Sequence, residues 1–139
     1  MTRGDFYIGI GPDARWIGSV NHDAFPDEIP CDIITAVNPI MFEEKVLDFL
    51  NSEKDFIAIA QDGNEWPWPW NDSNTTDYTY MFDLEVGRVV TSHFGCEFFD
   101  PLKVRQGEDL DDATLTIGKP KFPIMKLEMK IKRDGSYTT

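Results

Sequence analysis

Residues 5–11 set Phe6, Ile8 and Ile10 against Tyr7 and Gly9, the period-two pattern of a strand. Gly11-Pro12-Asp13 has turn chemistry. Residues 15–21, with Trp16, Ile17 and Val20, return as a second strand, so the N-terminus predicts a hairpin. Residues 76–83 set Tyr78, Tyr80 and Phe82 against Asp77, Thr79 and Met81. After a turn at Leu84 to Gly87, Arg88 to Phe94 comes back rich in β-formers. This second hairpin is the strongest local signal in the chain. Residues 124–132 alternate Met125, Leu127, Met129 and Ile131 with Lys126, Glu128, Lys130 and Lys132. They predict a strand with one wet face, whose lysines suit a sheet edge.

Helical spacing appears between the hairpins. Asp27 is expected to cap a short helix running to about Val37. Asn38 followed by Pro39 starts a second one, since Asn is a favoured N-cap and Pro at the first helical position loses no hydrogen bond. Phe42, Val46, Phe49 and Leu50 then form one apolar stripe, with Glu43, Glu44, Lys45 and Asp48 mostly facing water. Residues 55–60 are too short to assign by period; helix end and strand are both open. Prolines exclude helix from residues 61–75, read as a long ordered loop. Residues 105–112 read as an acidic loop and residues 133–139 as a frayed end. Strands cluster at both ends and helices lie between, with no repeat or linker. The expectation is a single α+β domain over residues 1–139: an antiparallel sheet, made of the N-terminal hairpin and the C-terminal strands, with two helices packed on one face.

Composition narrows the function classes. The chain has 139 residues, 41% of them hydrophobic, with ten Phe, four Trp and four Tyr. That is enough to bury one proper core, and it excludes global disorder. The formal net charge is −12. Such a surface repels nucleic-acid phosphates and anionic lipid, so neither direct nucleic-acid nor membrane binding is expected; a basic partner is. Six basic side chains in residues 119–139 stand against two acidic ones, a net +4, leaving −16 over residues 1–118. The basic end is expected to fold back onto acidic surface of its own chain. The N-terminus has no secretory pattern, and no apolar run reaches membrane-span length. A cytoplasmic protein with Cys31 and Cys96 as free thiols follows.

The candidate binding residues are Trp66, Trp68 and Trp70, with Asp72, Asp77, Glu108, Asp109, Asp111 and Asp112. Prolines stiffen the Trp66-Pro67-Trp68-Pro69-Trp70 block, and three indoles on it present large area at low entropic cost. The block either anchors a partner or pins a long loop across the open face of the sheet. The acidic run lacks the alternating ligands and central Gly of a calcium loop, so a solvated face is its default. A second, polar set comprises Arg3, His22, Asp23, His93 and Cys96. His22, Cys31, His93 and Cys96 have zinc-ligand chemistry, but only His93 and Cys96 are near neighbours, so no metal is expected. A His–carboxylate base or a Cys96 nucleophile beside His93 lacks any accompanying elbow or Gly-rich turn. No catalytic residue and no cofactor is assigned. Arg3 is expected to pair with Asp23 or Asp77.

Thr2-Arg3-Gly4, a hydrophobic hairpin and then His22-Asp23-Ala24-Phe25-Pro26 form a pattern. It resembles small uncharacterised proteins of phages and mobile elements that share an N-terminal Thr-Arg pair, an apolar hairpin and a His-x-Asp-x-aromatic-Pro or Trp-Asp-Gly-Tyr-Pro turn. Ala24 stands where that pattern prefers Gly. The Trp66–Trp70 block with Thr76-Asp77-Tyr78 resembles a second block in some of them. The resemblance implies a setting and no catalytic residue. Two functions remain in view. One is a small acidic accessory protein that binds and inhibits a basic host protein or nucleoprotein complex, in concrete form an anti-CRISPR or other anti-defence protein occupying a nucleic-acid-binding surface. The other is a small hydrolase-like enzyme using His22/Asp23 or His93, which requires both histidines in one pocket.

Overall fold

A computed structural model describes residues 2–52 and 57–123. Among these residues five strands form one sheet in the order β3-β2-β1-β4-β5. The first hairpin is β1 (Gly4–Ile8) with β2 (Arg15–Val20), antiparallel. The second is β4 (Tyr78–Asp83) with β5 (Arg88–His93), also antiparallel. A short strand β3 (Ile57–Ile59) adds antiparallel to the outer edge of β2, so the described part of residues 55–60 opens as strand and then turns into a 3₁₀ segment at Ala60–Asp62.

The sheet is mixed, not purely antiparallel. β1 and β4 run parallel, with Gly4 opposite Tyr78 and Ile8 opposite Phe82. A hairpin turn fixes only the sense of its own two strands. The sense of one hairpin against the other is set by the crossover between them, and a long connection carrying helices is what parallel neighbours require.

The helices follow their caps. Helix α2 (Pro39–Ser52) starts where Asn38 Oδ1 accepts the Met41 amide at 2.8 Å, and it buries Phe42, Val46 and Leu50. The helix expected from Asp27 to Val37 is only α1 (Cys31–Ile34). Pro30 precedes it, and a proline pushes the residue before it out of helical conformation, so the chain from Phe25 to Ile29 forms a turn instead. The acidic loop read at residues 105–112 is instead bounded by two short helices, which take in its first and last residues. Helix α3 (Pro101–Arg105) has Asp100 as its N-cap, accepting from the Leu102 amide at 2.9 Å; α4 (Leu110–Ala113) follows. The strand expected at 124–132 and the end at 133–139 lie outside the described residues.

Alternation along the strands splits the core in two. Phe6, Ile8, Ile17, Val20, Tyr80, Phe82 and Val89 face α1 and α2 on one side. Tyr7, Trp16, Met81 and Val90 face the other side, where Trp66, Trp68 and Phe98 cover them. A bulge refines this. The β1–β2 register pairs Phe6 with Gly18 but Tyr7 with Trp16, leaving Ile17 as an extra residue. With strict period two, Trp16 and Ser19 would face opposite ways. The bulge puts both on the Trp side, where the Trp16 indole donates to Ser19 Oγ at 3.0 Å. Among the described residues no helix is long and apolar enough to cross a membrane.

Candidate functional site

Asp5 sits on β1, opposite in face to Phe6, and is fully buried. Its Oδ1 accepts from Ser19 Oγ at 2.5 Å and from the Trp68 indole at 2.7 Å. Its Oδ2 accepts from Ser73 Oγ and Thr76 Oγ1, each at 2.6 Å. Trp16 feeds Ser19 and Trp70 feeds Thr76, at 3.0 and 2.9 Å, while the Tyr7 hydroxyl lies 2.9 Å from Ser73 Oγ. Each hydroxyl that donates to the carboxylate thus has an aromatic N–H or O–H beside it. Burying an ion costs several kcal/mol even after relaxation. Hydrogen bonds to a charged group contribute about 1.5–3 kcal/mol each, so four of them offset a cost of that size. Burial still lifts the Asp5 carboxyl above its ordinary range, with the four donors pulling it back.

The Trp block is therefore built into the structure around Asp5. Trp66 and Trp68 are buried, and Trp70 is half-buried, stacked on Trp68 at 5.5 Å. The indoles lie over the sheet face that the helices leave open. Arg3 does meet Asp77, but through its backbone amide at 2.8 Å; its guanidinium lies over Trp68 and Trp70, 5.6 and 6.0 Å from the ring centres. Asp72 accepts from the Asn74 amide, capping the 3₁₀ turn Ser73–Thr75.

The polar set comes together differently. Arg3 precedes β1, Asp77 precedes β4, His22 and Asp23 follow β2, and His93 and Cys96 end or follow β5. All lie along one end of the sheet, the end where β1 and β4 start. His22 nevertheless follows β2 and His93 ends β5, strands that β1 and β4 separate in the sheet. His22 Nδ1 faces its neighbour Asp23 Oδ2 at 2.9 Å; His93 Nδ1 donates to the Asp77 carbonyl at 2.8 Å. The arrangement does not make a catalytic pair. Cys31 and Cys96 are exposed free thiols, and among the described residues no group of three His, Cys, Asp or Glu side chains is placed to hold a metal ion. Glu108, Asp109, Asp111 and Asp112 lie in and before α4, whose Ala113 packs on the helix side of the sheet. The indoles are on the other side, where Leu115, two residues beyond Ala113, packs against their cluster.

What this end does present is a row of rings. Phe25 packs on Tyr78 at 5.5 Å, Tyr78 on His93 at 4.6 Å, and His93 on Phe94 at 4.5 Å. The outer two, Phe25 and Phe94, are 45% and 47% exposed. Carboxylates lie near its Phe25–Tyr78 half. Burial and the neighbouring Asp23 and Asp27 hold the Glu28 carboxyl above its usual range. Burial, Asp77 and Asp27 raise the Tyr78 hydroxyl.

No protein-family model, curated protein or solved structure matches the chain.

Backbone strain sits at the same end. Asp23 and Phe94, at φ 60° and 50°, are the described non-glycine residues with positive φ. Phe94 and Gly95 form the centre of a tight turn closed by the Cys96 amide on the His93 carbonyl at 3.0 Å. Asn-Gly is the usual pair for a turn with both central residues at positive φ. An aromatic residue there is an outlier that its surroundings must hold. Asp77 supplies that hold, since its carbonyl accepts both the Phe94 amide and His93 Nδ1. Phe25, Phe94, Asp27, Glu28 and Asp5 were not among the sequence candidates. The one local signal was the aromatic-Gly dipeptide directly after a β-rich run.

Proposed function

We propose that the protein is a small acidic binding protein that docks onto a basic protein surface with the strand-start end of its sheet. The observation that carries this reading is the exposed Phe94, held in a strained turn and continuous through His93 and Tyr78 with the exposed Phe25, next to Asp27 and Asp77 at Tyr78 and to the Asp23, Asp27 and Glu28 group. Aromatic faces and carboxylates together favour Lys and Arg side chains, by cation–π contact and by charge. Crowded carboxylates at Glu28 are relieved by a cation. The net charge of −12 steers the same partner. Occupying a basic surface displaces whatever phosphate that surface holds. With the resemblance to phage and mobile-element proteins, the concrete form is an inhibitor of a host nucleic-acid-binding complex, of anti-CRISPR or other anti-defence type.

An NMR titration with an arginine-rich peptide at low and high salt tests this. Amide shifts are expected at residues 22–28, 77–78 and 93–97. Affinity should fall about tenfold or more between the two salt conditions and again in a Phe25→Ser/Phe94→Asn double variant. Shifts spread evenly over the acidic surface, or an unchanged affinity in the double variant, would sink the reading.

A further inference from the structure

The opposite end of the sheet carries the β1–β2 and β4–β5 turns and the start of α2. Val37, Ile40, Leu84, Val86 and Ile117 are all exposed there, from 44% for Ile117 to 78% for Ile40. Isolated exposed apolar residues are ordinary; a contiguous set is a mark of an interaction site. Leu84 and Ile117 line one cleft, and Val37 lines a second beside Gly87, on the other side of the same turn. Leu84 sits 3.6 Å from the position a Cβ on Gly9 would take, tying the two turns together, and the Val37 carbonyl abuts Gly87. The Leu84–Gly87 turn is a ridge between two clefts of about 330 Å³ each. One runs from Leu84 to Ile117 and has Asp13, Asp83 and Glu85 in its wall; the other runs from Val37 along Gly87.

We propose that this turn end is a second docking surface, and that its occupant is an amphipathic segment of a partner protein with an apolar face and a basic flank. Charge decides the occupant. No Lys or Arg lines the acidic cleft among the described residues. Arg15 and Arg88, at the first positions of β2 and β5, are committed to Glu43 at 2.6 Å and Asp100 at 2.7 Å. A second copy of this chain would bring a second set of the same carboxylates into the interface and no cation from the cleft wall to pair with them. A basic amphipathic segment places apolar side chains beside Leu84 and Val37 and its cations on Asp13 and Glu85; Asp83 is buried and accepts the Glu85 amide.

The probe is a synthetic Leu/Lys peptide with leucines at helical i, i+3, i+4 spacing, compared with a scrambled peptide of the same composition. Fluorescence anisotropy on the full chain should show the patterned peptide binding about tenfold or more tightly than the scrambled one. A Leu84→Asp/Val86→Asp variant should lose that margin. If this variant fails to keep its circular dichroism spectrum, Val37→Glu, at an exposed position in the wall of the second cleft, replaces it with the same expected loss. Equal binding of the two peptides, or margins unchanged in the variants, overturns the proposal. So does a concentration-dependent dimer in sedimentation that Leu84→Asp dissolves, or patterned-peptide binding that emerges only when residues 124–139 are removed, since a second copy or the chain's own basic end would then be the occupant. The arginine-rich peptide reads the strand-start end, so failure of one titration with success of the other assigns the error to one surface.

Discussion

Trp68 donates its indole N–H to the Asp5 carboxylate at 2.7 Å, across 63 positions of sequence. Asp5 lies on the central strand and Trp68 on the proline-stiffened loop, so this one bond joins the sheet to its cover. Ser73 and Thr76, farther along the same connection, grip the other carboxylate oxygen.

Replacing Asp5 by Asn should therefore cost much more than its change in shape. The amide nitrogen cannot accept, so the Ser73 and Thr76 hydroxyls both lose their acceptor in a buried site. Orphaned buried polar groups cost about 1–3 kcal/mol each, which sets a loss of about 2–5 kcal/mol for Asp5→Asn. Urea unfolding followed by tryptophan fluorescence measures it. A loss below about 1 kcal/mol would mean that the hydroxyls find other acceptors.

The pH dependence of the same pair of proteins has a definite sign. Burial raises the native Asp5 carboxyl above its ordinary value of 3.8. The native state then holds this proton more tightly than the unfolded chain. Its stabilising contribution is fully present below the unfolded value and is lost as pH rises through the native one. The stability difference between wild type and Asp5→Asn should shrink from about pH 4 upward. Unfolding both proteins across the acid range checks this; a difference that grows with pH would show that the four donors outweigh burial.

Phe94→Asn should separate stability from binding. Asn accepts the left-handed conformation that Phe resists, so the variant should gain about 0.5–1 kcal/mol while binding the arginine-rich peptide less well. Thermal melts paired with the titration report both. A variant less stable than wild type would mean that the contact of the Phe94 ring with His93 matters more than the strain.

Gly18→Ala tests the close approach beside the bulge. A Cβ at Gly18 would lie 2.6 Å from the Ala58 carbonyl oxygen and 2.6 Å from Leu50 Cδ1. One of these neighbours is backbone and cannot rotate away, so β3 must shift. A loss of about 1–3 kcal/mol is expected. An unchanged melting temperature would show that β3 moves freely against β2.

Local chemistry was enough for much of the fold. Both hairpins follow from period-two runs ended by turn residues, and α2 follows from Asn38-Pro39 and the stripe of Phe42, Val46 and Leu50. These signals act within a few residues, through backbone geometry and one-sided burial. Pro30 carried the same kind of information, and it truncates α1 where the Asp27 cap had suggested a longer helix. What no local rule reaches is the parallel pairing of β1 with β4, because a crossover decides it. The same holds for the extra residue at Ile17, which turns Trp16 and Ser19 to one face, and for Asp5, which reads as an ordinary strand carboxylate until Ser19, Trp68, Ser73 and Thr76 converge on it. The candidate surfaces are of this second kind too. Phe25, Tyr78, His93 and Phe94 come from three separate segments, and only the order of strands in the sheet makes them neighbours.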